Sequence, residues 1–134
     1  MKYKFLPHTA DIKFRAYGKS LNGLFENCAL AFSNHLSRGS KIKSIVKKNF
    51  SLEEKDLPAL LYSFLDELIY LLDAEDFVVS KAGVSIEGTK LKAEVYGDDV
   101  ENYQDLDHIN AATYSEMYVK KKLFGWEAQV VLDV

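Results

Sequence analysis

Between Leu57 and Leu72, eight apolar residues recur at three- and four-residue spacing: Leu57, Leu60, Leu61, Phe64, Leu65, Leu68, Ile69 and Leu72. That period puts them on one side of an α-helix, in a stripe wide enough that it has to be covered. Asp56 precedes the stripe as an N-cap, and Pro58 falls in the first turn, where its missing N–H costs no helical hydrogen bond. The helix leaves through the acidic run Asp73 to Asp76. A second stripe follows the capping hydroxyl of Ser20: Leu21, Leu24, Phe25, Cys28, Ala29, Phe32 and Leu36, closed by Gly39. Two amphipathic helices therefore need apolar surface from the rest of the chain. The later one, with the wider face, is predicted to be the more buried.

The remaining segments read with period two, which is the strand pattern. Tyr3 to Leu6 is a short strand ending at Pro7. In Ile12 to Tyr17, Ile12, Phe14 and Ala16 share one face, and Lys13 and Arg15 share the other. Ile42 to Leu52 alternates, with Val46, Phe50 and Leu52 together. Val78 to Ile86 and Leu91 to Tyr96 form a hairpin across Glu87-Gly88. Ile109 to Val119 is a long strand, Lys120 to Gly125 a turn, and Trp126, Ala128, Val130, Leu132 and Val134 alternate to the last residue. The order β-β-α-β-α-β-β-β-β predicts an α+β fold, a mostly antiparallel sheet with two α-helices packed on one face. No repeat or Pro/Gly/Ser-rich linker divides the 134 residues, so residues 1–134 are read as a single domain.

Several function classes drop out on composition. Hydrophobic residues make up 48% and charged residues 28%, which excludes a disordered chain. No apolar run reaches the roughly 18 residues of a membrane helix, and the first residues lack a signal-peptide pattern. A lone cysteine, Cys28, allows no internal disulfide and no Cys-rich zinc site. These features predict a cytoplasmic protein. The net charge of −3 argues against tight binding of nucleic acid. The basic clusters Lys47-Lys48 and Lys120-Lys121-Lys122 read as solvated turns or strand edges.

Three constellations are candidates for chemistry. His8-Thr9-Ala10-Asp11 sets an imidazole, a hydroxyl and a carboxylate between two strands, and on spacing alone reads first as a capped turn. Asp133 lies beside the α-carboxylate of Val134. If Asp11 is near them, three mutually repelling carboxylates meet, and a hard divalent cation such as Ca²⁺ or Mg²⁺ suits such an all-oxygen set. If it is not, the end of the chain is an exposed acidic terminus. The loop Gly97 to His108, with Asp98 and Asp99, lacks the glycine and terminal glutamate of an EF-hand and reads as a solvated loop or a partner surface. Cys28 falls on an apolar helix stripe and reads as a core residue, not a nucleophile. No nucleophile elbow, P-loop, dinucleotide fingerprint or zincin motif is present.

Five pieces of the chain, in order, resemble the archease family: His8-Thr-Ala-Asp-Ile12 followed by Arg15-Ala-Tyr-Gly18, the helix Leu60 to Tyr70, Ala111-Ala-Thr-Tyr114, and the ending Trp126 to Val134. The resemblance implies a non-catalytic accessory protein of the tRNA-splicing RNA ligase that joins 3′-phosphate or 2′,3′-cyclic-phosphate ends. It implies that the protein promotes ligase guanylylation and multiple turnover, and meets RNA only indirectly, through the ligase. It also implies a divalent cation, typically Ca²⁺, on Asp11, Asp133 and Val134. His8 and Thr9 are then expected behind those ligands, and Asp98, Asp99, Asn110 and Tyr114 on the surface that meets a partner. Family members usually carry a lysine before Ala-x-Thr-Tyr and a histidine after it; this chain has Asn110 and Ser115. Two other readings stay open on the residues alone: a metal-dependent hydrolase using His8 and Asp11, or a binding module whose metal is structural.

Overall fold

A computed structural model describes residues 1–134. The two predicted stripes form α1, Leu21–Leu36, and α2, Leu57–Glu75. Both N-caps are those the sequence indicates: Ser20 Oγ accepts from the Gly23 N–H at 3.0 Å, and Asp56 Oδ1 from the Ala59 N–H at 2.8 Å. Asp76 ends α2 in the left-handed region at φ 54°.

Seven strands surround the helices: β1 Tyr3–Leu6, β2 Ile12–Gly18, β3 Val46–Glu53, β4 Phe77–Glu87, β5 Lys90–Asp99, β6 Ala111–Lys122 and β7 Gly125–Asp133. Every pairing is antiparallel. The strands divide into two sheets, ordered β1-β2-β7-β6 and β3-β5-β4. Each helix packs against strands of both sheets, α1 on β2 and β4, α2 on β6, β4 and β3. One core results, in which Phe14, Phe25, Phe32 and Phe64 are fully buried.

The α+β class, the antiparallel strands and the two packed helices are as the sequence predicts. The relative burial of the helices is not. Eight residues are buried in each, and α1 is the shorter, because its Asn22 and Glu26 face strand β4 and still leave its other sides to the core. Those two side chains accept from the Ile86 and Val84 N–H groups at 2.9 and 2.8 Å, which closes the edge of β4 to other strands.

Three boundaries also move. The strand expected from Ile42 begins at Val46, since residues 42–44 bond to side chains instead of a ladder: the Lys43 N–H donates to Tyr103 Oη, and Ser80 Oγ donates to the Ile42 carbonyl. The β4–β5 turn falls on Gly88-Thr89, with Gly88 at φ 62°. The strands β6 and β7 extend to Lys122 and from Gly125, so only Leu123-Phe124 remains of the turn predicted over Lys120–Gly125.

Candidate metal centre

The geometry of the site begins with the register of β2 on β7. Ile12 pairs with Leu132, both directed into the core side of the sheet. This pair ends the β2–β7 ladder: Asp11 immediately precedes Ile12, and Asp133 immediately follows Leu132. On its other side Asp133 pairs with Ala111, and its carbonyl accepts from the Asn110 N–H at 2.7 Å. Asp133 is thus held on the β6 side, and Val134 follows it directly. The turn before Asp11 is tight: Ala10 has φ 67°, and the Asp11 N–H donates to the Thr9 carbonyl at 2.8 Å.

Three carboxylates, those of Asp11, Asp133 and the chain terminus, are therefore assigned to one end of the four-stranded sheet. An all-oxygen, triply anionic donor set fits a hard divalent cation. Only two of the donors are side chains. Nowhere in the chain do three His, Cys, Asp or Glu side chains converge on a metal-binding geometry.

Behind this end lies a network that sequence periodicity does not show. Between Thr113 and Tyr118 the β6 register slips, so that residues 114–117 face the single β7 residue Val130. Glu116, at the crest of the bulge, takes φ 55°, a strained value for a residue with a Cβ. The bulge carries its carboxylate across β7 to β2. There it accepts from Lys13 Nζ at 3.1 Å and from His8 Nε2 at 3.0 Å. The Glu116 carbonyl accepts from Gln129 Nε2 at 2.8 Å, and Gln129 Oε1 from Arg15 Nε at 2.9 Å. The hydrogen bonds from Lys13 and then His8 hold the Glu116 carboxyl below its usual range. The other imidazole nitrogen, His8 Nδ1, lies 3.9 Å from Asp11. His8 thus stands between the candidate ligand Asp11 and the bulge.

Of the residues singled out in the sequence, Asp11, Asp133 and Val134 lie next to the Ile12–Leu132 pair in the chain, and His8 approaches Asp11. Thr9 contributes its carbonyl to the turn. The surface assigned to a partner needs one correction. Asp98 is only 4% exposed, so it is not a contact residue. Burial works against its charge. Hydrogen bonds from Tyr103 Oη, the Asp99 N–H and Asn102 Nδ2, with the charge of Lys43, outweigh that and hold its carboxyl low. Asp98 fastens the acidic loop to the body; the sequence alone gives no sign of this. Asp99 is exposed and caps the short helical turn Val100–Asn102. Tyr114 is 57% exposed and stacks on Tyr62 of α2, with ring centroids 4.2 Å apart. Asn110 is exposed, and its side chain contacts His108. Cys28 is fully buried, and burial pushes its thiol far up, so it is no nucleophile.

Fold and site together define a small α+β protein whose first turn and last strand join to build an acidic end. Residues 3–134 match the archease protein family (MTH1598/TM1083), and the chain belongs to that family. The protein archease of Methanosarcina acetivorans is 38% identical, with 99% of this chain and 96% of that protein covered. The archease of Pyrococcus abyssi is 36% identical over 99% of both chains, and that of Archaeoglobus fulgidus 36% over the whole of both. The solution structure of Methanobacterium thermoautotrophicum protein 1598 superposes with a TM-score of 0.85 at 31% identity, covering 98% of each chain. Family membership makes the chain an accessory protein of the RNA-ligase and tRNA-splicing machinery, not an enzyme. No helix is long and apolar enough to cross a membrane.

Proposed function

We propose that this protein binds a divalent cation, Ca²⁺ in the first instance, through Asp11, Asp133 and the α-carboxylate of Val134. In that form it activates the cytoplasmic tRNA-splicing ligase that joins 3′-phosphate or 2′,3′-cyclic-phosphate ends, promoting its guanylylation and multiple turnover. The observation that supports the reading is the Ile12–Leu132 pair at the end of the β2–β7 ladder, next to Asp11 on one strand and Asp133-Val134 on the other. Three carboxylates gathered there repel one another unless a divalent ion lies between them. Its charge also gives the acidic end a means of meeting an anionic partner group.

The test is a ligation assay with limiting cognate ligase, GTP and Mn²⁺, following product beyond one equivalent of enzyme. Addition of the wild-type chain raises turnover and the yield of guanylylated ligase. Asp11→Ala, folded by circular dichroism, loses the stimulation. Full stimulation by Asp11→Ala, after calorimetry has shown its Ca²⁺ binding gone, would separate the metal from the activity and overturn the proposal.

A further inference from the structure

We infer that the opposite end of the four-stranded sheet is a weak site for single-stranded nucleic acid, holding one unpaired base and its adjoining phosphates. β7 runs from Gly125 to Asp133, which puts this end about 27 Å from the carboxylates. Here the β6–β7 hairpin projects Leu123 and Phe124, 88% and 92% exposed. An open cleft beside the hairpin is lined by Tyr17, Phe124 and Trp126 and by Lys2, Lys19 and Lys122. Lys2 and Lys19 are far from Lys122 in sequence, so only the fold collects this cationic end in a chain of net charge −3. The one acid on the cleft, Glu127, already accepts a hydrogen bond from Tyr118 Oη. Asn27 Nδ2 donates to the Tyr17 carbonyl at 2.6 Å, which leaves its amide oxygen to accept from a base amino group.

The root of the hairpin is fixed. Gly125 has φ 138°, and a Cβ there would lie 2.4 Å from the Gly18 carbonyl oxygen. The close approach joins the root of the hairpin to the end of β2, beside which Lys19 stands.

Aromatic faces with interleaved lysines are the chemistry of single-strand binding, in which rings stack on bases and ammonium groups meet phosphates. Lysine is depleted from protein–protein interfaces, and the apolar surface here is two side chains and part of a cleft, small for a protein partner. The same smallness disfavours a membrane. The negative net charge keeps the affinity low. The inference concerns the isolated chain and stands or falls apart from the ligase reading.

The test is fluorescence anisotropy of a labelled single-stranded RNA 12-mer titrated with the isolated chain, starting at low salt. Saturable binding is expected, with a slope of log K against log salt of about −2 for three neutralised phosphates. Phe124→Ala weakens binding by about tenfold, and Lys19→Gln with Lys122→Gln flattens the salt slope. The duplex form of the same RNA binds more weakly. All three side chains are exposed at a hairpin or loop, and unchanged melting curves confirm that the variants fold. No saturable binding, binding unaffected by Phe124→Ala, equal binding of duplex, or preference for phosphatidylglycerol vesicles over RNA each overturns the inference.

Discussion

His8 and Glu116 are 108 residues apart in sequence, yet the His8 Nε2 lies 3.0 Å from the Glu116 carboxylate. The contact exists because β6 bulges over β7, and it ties the turn that carries Asp11 to the far strand of the sheet. Glu116 is thereby a positioning residue for the acidic end, acting through His8 and Lys13. At the proposed Ca²⁺ site, Glu116→Ala should free that turn and lower the affinity by about tenfold, the size of effect seen when groups behind metal ligands are removed. Glu116→Gln, which keeps the shape and part of the hydrogen bonding, recovers some of the loss. Isothermal titration calorimetry reads both; equal affinities for all three forms would show that the latch does not order the site.

Extension of the chain beyond Val134 converts its carboxylate to an amide, which removes one of three charges from the proposed site. At a hundredfold excess over Kd, a bound ion stabilises the fold by about 2.7 kcal/mol. A C-terminally tagged form therefore binds Ca²⁺ more weakly and gains less melting temperature from it than an N-terminally tagged form. Matching melting shifts for the two would remove the terminus from the ligand set.

The carboxyls of Asp98 and Glu116 are both held below their usual ranges in the folded protein. The unfolded chain takes up protons at these groups first, so their contribution is full above about pH 5 and is lost as the pH falls through the folded values. Tyr118 acts at the other end. Burial, then its hydrogen bond to Glu127, pushes its phenol up to about 12, so its contribution is present below about pH 10 and lost as the pH rises. Melting temperature plotted against pH should fall at both limits. Asp98→Asn should flatten the acid limb and lower the plateau, as Asn cannot accept from all three donors as well as a carboxylate does. An acid limb identical to wild type would mean that other carboxylates govern it.

Cys28 is fully buried on α1. Under native conditions it should resist a thiol reagent such as Ellman's reagent, and one thiol should appear in denaturant. Cys28→Ser buries a hydroxyl in apolar surroundings and should cost about 1–3 kcal/mol in urea unfolding. Rapid labelling of the native protein would place the thiol at the surface and contradict the packing of α1.

The sequence by itself determined the local elements. The stripes of Leu21–Leu36 and Leu57–Leu72, the caps Ser20 and Asp56, and the alternation of β2 and β7 follow from periodicity and hydrogen-bonding chemistry that act over a few residues. The resemblance in His8–Asp11 and in the last strand pointed to the acidic end. The tertiary structure decided what lies across from what. Period two says which side chains share a face but not which strands pair, so neither the division into two sheets nor the Ile12–Leu132 register could be read from the pattern. The bulge at 114–117 was hidden because its residues continue a plausible strand, and Glu116 has no meaning for His8 until the strand slips. Asp98 looked like one carboxylate in an acidic loop, and only folding brings Tyr103, Asn102 and Lys43 around it. Lys2, Lys19 and Lys122 are scattered charges until β2, α1 and the β6–β7 hairpin meet. In each case the deciding interaction spans a contact between distant segments, whose free energy depends on the assembled core and not on the local chain.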